Sequence, residues 1–116
     1  MSEVTIYHNP KCSKSRETLA LLEKRGIEPR VVLYLENPPS ARELDRILKL
    51  LGKEPRELMR RQEPEYKALK LDDPKRTRAQ LIEAMVKHPR LIERPIVLAN
   101  GKAALGRPPE NVLAIL

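Results

Sequence analysis

The 116 residues predict an α/β domain with a four-stranded mixed sheet and a helical insertion between its halves. Three observations predict it. A strand, a helix and a continuous apolar strand follow one another within the first 35 residues, the pattern of a βαβ unit with parallel strands. Amphipathic helical periodicity fills the middle, from about residue 40 to residue 93. The period then reverts to that of a hairpin and closes on a short helix.

Val4-Thr5-Ile6-Tyr7 alternates as a short strand, and Asn9-Pro10 stops it. Ser13 and Ser15 are candidate caps of a helix carrying Leu19, Leu21 and Leu22, with Gly26 as its stop. Val31 to Leu35 reads as a buried strand, closed by Asn37-Pro38-Pro39. Ser40-Ala41-Arg42-Glu43 is a capping box, followed at helical spacing by Leu44, Ile47, Leu48 and Leu51 and ended by Gly52. Pro55 opens a shorter helix with Leu58 and Met59. Thr77-Arg78-Ala79-Gln80 is a second capping box, before Leu81, Ile82, Met85 and Val86, and His88-Pro89 ends that helix. Ile96–Ala99 and Lys102–Leu105 flank Asn100-Gly101, a strong hairpin signal, and Pro108-Pro109 starts a last short helix.

Composition narrows the function classes. The length suits one domain, 1–116, burying about two-thirds of its unfolded surface. The longest apolar run is five residues, so neither a membrane span nor a signal-peptide core is expected. A single cysteine excludes an internal disulfide and a cysteine-rich zinc module, and points to a protein of the reducing cytoplasm. The formal charge of +7 can attract an anion. Nucleic acid is not the expected partner, because three tyrosines are the only aromatics available for stacking. Basic runs never exceed two residues, which argues against a polybasic membrane patch, and most of the charge reads as a mixed-sign surface. No apolar stripe is left over for a partner, so a monomer is expected.

In open α/β sheets, function collects beyond the carboxyl ends of the parallel strands, here His8 to Ser15. Cys12 lies there. A lone cysteine is often a buried, inert thiol, but this one has Lys11, Lys14 and Arg16 around it and precedes a helix. Helix N-termini and cations stabilise the reactive thiolate, and backbone N–H groups at the same end can cradle an oxyanion. His8, four residues earlier, either serves the thiol as proton holder or imidazolium, or merely binds the loop. His88 reads as a helix-end residue. Of thirteen arginines, Arg94 and Arg107 stand at the two ends of the hairpin beside prolines, a fork suited to a tetrahedral anion. Spacing does not rank Arg60 against Arg61. No metal-ligand spacing and no phosphate-loop motif occurs.

Three stretches together carry a resemblance. They are Ile6-Tyr7-His8-Asn9-Pro10-Lys11-Cys12-Ser13-Lys14-Ser15-Arg16, then Leu33-Tyr34-Leu35-Glu36-Asn37-Pro38-Pro39, then Glu93-Arg94-Pro95-Ile96-Val97 with Gly106-Arg107-Pro108. They resemble the glutaredoxin-coupled arsenate reductase (ArsC) family from about Val4 to Leu116. The chain's length and Lys11 and Lys14 resemble its shorter, arsenate-reductase-related subgroup. The resemblance implies a thioredoxin-like fold with Pro95 as a cis-proline. It implies Cys12 as nucleophile, His8 and Ser15 tuning the thiolate, and Arg60, Arg94 and Arg107 binding the oxyanion. It implies no bound cofactor, with glutathione as co-substrate and glutaredoxin as partner. Cys12-Ser13-Lys14-Ser15 lacks the second cysteine of a CxxC pair, so reduction needs external thiols. The same serine counts against an alternative, a regulator resembling Spx that binds RNA polymerase through a CxxC switch. A second alternative keeps the thiol chemistry and changes the substrate to another oxyanion or a glutathione mixed disulfide.

Overall fold

The computed structural model describes residues 3–116. They form two compact units, one built from the residues up to Asn37 together with Arg94–Leu116, the other from Pro38–Glu93.

The first unit holds the sheet. Strand β1 (Thr5–His8) leads into helix α1 (Ser13–Lys24) and strand β2 (Arg30–Leu33), and later come β3 (Ile96–Ala99), β4 (Lys102–Leu105) and a 3₁₀ turn, Pro109–Ile115. The strand order is β2-β1-β3-β4, with β1 and β2 parallel and the other pairs antiparallel. This βαβ half joined to a β-hairpin and helical end is the expected thioredoxin-like arrangement. The hairpin follows from its turn: Asn100 and Gly101 have φ of 54° and 72°, the pair of positive angles that a tight two-residue turn requires.

Side-chain alternation decides what each face carries. Ile6 and Val97 are opposite one another and pack with Leu22, Ala99, Val112 and Ile115 into the core beneath α1 and the C-terminal turn. Burying each large aliphatic side chain contributes about 1.5–3 kcal/mol. His8 lies two residues after Ile6, so the same alternation turns it to the α1 face.

In this unit three expectations change. The apolar run Val31–Leu35 is not a buried strand: β2 is the sheet edge, and Val31 and Leu35 are 43% and 41% exposed. Only Tyr34 in that run is fully buried, because the chain has already left the strand and turned. Neither Ser13 nor Ser15 caps α1; Cys12 occupies the N-cap position. The last helix is the 3₁₀ turn.

The second unit is helical. Helices α2 (Ala41–Leu51), α3 (Pro64–Ala68) and α4 (Arg78–Lys87) are joined by 3₁₀ turns at Pro55–Leu58 and Pro89–Leu91. Ser40 and Thr77 cap α2 and α4 as expected, and Gly52 ends α2 with φ of 67°. Met59 lies just past its turn rather than in a helix, bridged to Ile92. His88 is the C-cap of α4, its N–H donating to the Ala84 carbonyl. Among the described residues no helix is long and apolar enough to cross a membrane.

Candidate active site

The β1–α1 loop folds on its own polar groups. Asn9 accepts the Cys12 N–H on its carbonyl and the Lys11 N–H on its side chain, each at 3.0 Å. That side-chain turn delivers Cys12 to the N-cap of α1 with extended backbone angles. A serine here would bond the helix N–H groups with its hydroxyl. The thiol makes no such capping bond, so the helix end is left to the sulfur as an electrostatic partner.

The balance at the sulfur is explicit. Cys12 is 6% exposed, and burial pushes its thiol upward. Against burial act the Ser15 backbone N–H, then the hydrogen bond and charge of the Arg94 guanidinium, then the Lys14 backbone N–H. The net result lies below the ordinary cysteine value. Arg107 Nη2 donates toward Sγ at 3.5 Å, and its Nε donates to the Arg94 carbonyl at 2.7 Å. Two guanidiniums therefore converge on one sulfur, as the hairpin geometry predicts.

Ser15 is fully buried on the inner side of the loop. Its Oγ accepts the Asn9 N–H at 3.0 Å and lies 2.6 Å from Nδ1 of the buried His8. Burial, and then the charge of Arg16, push the His8 pKa down. The ring is thus neutral at neutral pH, so of the two chemical parts open to it the imidazolium is the disfavoured one. Arg16 Nη1 donates to the Pro10 carbonyl at 2.9 Å and braces the loop from outside. A cavity of about 400 Å³, lined by Lys14, Glu17, Leu21, Pro108, Pro109 and Glu110, opens beside the first turn of α1.

A profile of the ArsC family matches residues 7–115 of the chain. The chain belongs to the ArsC family. It is 59% identical to the uncharacterized protein YfgD of Escherichia coli K12, over 98% of this chain and 97% of that one. It is 53% identical to an arsenate reductase of Neisseria meningitidis, over the full length of both. Its structure superposes on an arsenate reductase of Vibrio cholerae with a TM-score of 0.95, at 58% identity and 98% coverage of each chain.

In this ArsC-family chain, His8, Cys12, Ser15, Arg94 and Arg107 lie together in the sheet-bearing unit. Arg60 belongs to the Pro38–Glu93 unit. There its N–H donates to the Leu91 carbonyl at 2.7 Å, and its guanidinium pairs with Glu63 and, at 4.0 Å, with Glu93. Arg61 is exposed. The Arg94–Pro95 and Arg107–Pro108 peptide bonds are both cis; the first was expected and the second was not. Sequence reasoning also missed Thr18, which is fully buried, and the crowding at Gly106. A threonine in mid-helix and a glycine before an arginine carry no local signal of contact with one another.

Proposed function

We propose that the chain reduces arsenate to arsenite with Cys12 as the nucleophile. The observation that carries this reading is the Cys12 sulfur at a helix N-terminus with the guanidiniums of Arg94 and Arg107 upon it. Such a sulfur is ionised more readily than a free thiol, and the same cations suit a tetrahedral oxyanion. The named arsenate reductases among its relatives support the choice of arsenate.

The thiolate attacks the pentavalent arsenic, forms an S–As bond and displaces one oxygen as water after protonation. Arg94 and Arg107 compensate the charge on the remaining oxygens. Arg60 is the third arginine of this set by family resemblance. An external thiol then attacks the Cys12 sulfur. The S–As electron pair passes to arsenic, which leaves as trivalent arsenite, and Cys12 is left in a mixed disulfide. A second thiol attacks that disulfide and restores the thiolate. Two thiols become one disulfide as arsenic gains two electrons. With a single cysteine in the chain, both thiols come from outside, which favours glutathione with glutaredoxin. His8 and Ser15 hold the loop and its proton inventory in place behind the sulfur.

The test is arsenite formation from arsenate with glutathione, glutaredoxin, glutathione reductase and NADPH, in wild type and Cys12→Ser. Turnover in the wild type that vanishes in the variant is the expected result. Absence of turnover in a wild-type protein that retains a low-pKa thiol would reject arsenate as the substrate.

A further inference from the structure

We propose that Thr18 and Gly106 are positioning residues whose contact sets how far the hairpin arginines stand from Cys12. The inference rests on the reading of Cys12 and its arginines as the reactive site.

Gly106 has no positive φ, so its backbone angles would accept a side chain. Space is what forbids one. A Cβ at position 106 would overlap Thr18 Oγ1, and would lie 2.8 Å from Pro95 Cγ and 3.1 Å from Thr18 Cγ2. The strand end and α1 therefore touch backbone to side chain, with no slack between them. Thr18 is immobile at this point: it is fully buried, and its Oγ1 donates to the Lys14 carbonyl at 2.8 Å. Gly106 N–H donates to the Pro95 carbonyl at 3.0 Å, tying the two ends of the hairpin together.

Each member of this contact is one covalent or hydrogen-bonded step from a group on the sulfur. Thr18 holds Lys14, whose N–H favours the thiolate. Pro95 follows Arg94, and Gly106 precedes Arg107. Carbon contacts are optimal near 3.5–4.0 Å, so a methyl at 106 must push hairpin and helix apart by on the order of 1 Å. The Arg107 contact at 3.5 Å has no margin for that displacement.

Three variants test this: Gly106→Ala, Thr18→Ala and the double variant. The readouts are the pH dependence of Cys12 alkylation by iodoacetamide, protection against alkylation by sulfate, and the thermal midpoint. Gly106→Ala is expected to raise the alkylation midpoint by about one pH unit, a roughly tenfold loss of thiolate, and to weaken sulfate protection by about tenfold. Removing Oγ1 and Cγ2 in the double variant relieves the overlap with Thr18 but leaves Pro95 Cγ at 2.8 Å, so it is expected to recover part of both. A lowered thermal midpoint with unchanged alkylation and protection would overturn the proposal, as would a double variant that recovers neither. Should Gly106→Ala fail to fold, Thr18→Val places a bulkier methyl at the Oγ1 position, and an unchanged alkylation midpoint there overturns it equally. None of these readouts uses arsenate. A chain that shows the shifts yet reduces no arsenate keeps this inference and loses the arsenate reading.

Discussion

Arg94 and Arg107 reach the same sulfur by different routes. Arg94 acts on the thiolate by hydrogen bond and charge, and its carbonyl holds the Nε of Arg107, so the second guanidinium is oriented by the backbone of the first. Hydrogen bonds to charged groups contribute about 1.5–3 kcal/mol, which is roughly a tenfold to hundredfold change in affinity. Arg94→Ala and Arg107→Ala are each expected to weaken sulfate or arsenate binding by that factor, with Arg61→Ala near wild type. Equal losses at all three, measured by calorimetry, would mean diffuse charge and no built anion site. His8 gives a pH prediction. Its folded-state pKa lies below the ordinary 6.5, so the unfolded chain binds the proton more readily. Stability is unpenalised above 6.5 and falls as pH drops from there toward the lowered folded value. Urea midpoints between pH 7 and about 5 should show this slope in wild type and lose it in His8→Gln, above the range where carboxylates take over. An unchanged slope would place the proton elsewhere.

At the scale of elements, α1 and α2 solve the same end problem in opposite ways. Ser40 Oγ accepts the Glu43 N–H at 3.1 Å and satisfies the start of α2. Ser40→Ala is expected to cost about 1 kcal/mol, read as a lower urea midpoint with no change in Cys12 alkylation. In α1 the N-cap is Cys12 itself, and the N–H groups that a serine would satisfy are kept for a thiolate. That is why a cap search on the sequence settles on Ser13 and Ser15 and misses the cysteine. The other elements were legible to the degree that their signals are local. The Asn100-Gly101 turn and the Thr77–Gln80 capping box act within four residues, and the structure has each where the sequence puts it. At Ser40 the cap forms but the return bond of a box does not, the Glu43 carboxylate accepting from Arg46. The exposure of β2 was not legible, because a run of apolar residues does not say whether one neighbouring strand or two will flank it. The 3₁₀ turns at Pro55, Pro89 and Pro109 were read as helix starts or stops, since proline marks an N-terminus without deciding between a 3₁₀ turn and an α-helix.

At the scale of the whole molecule, the sulfur's environment is assembled from the loop of residues 8–16, the start of the hairpin at 94–95 and its end at 106–107. The first stretch was recognisable by its cysteine and bases. The arginines were recognisable because a tight hairpin joins its two ends. The Thr18–Gly106 contact spans 88 positions and has no sequence signature at all. A lowered thiol pKa is consequently a property of the folded chain and of no single segment. The direct test is the pH dependence of Cys12 alkylation in native protein and in the same protein unfolded in urea. A native midpoint below the free-thiol value of about 8.5, returning to that value on unfolding, is the predicted result. A native midpoint at or above the unfolded one would contradict a thiolate held by the helix end and its arginines.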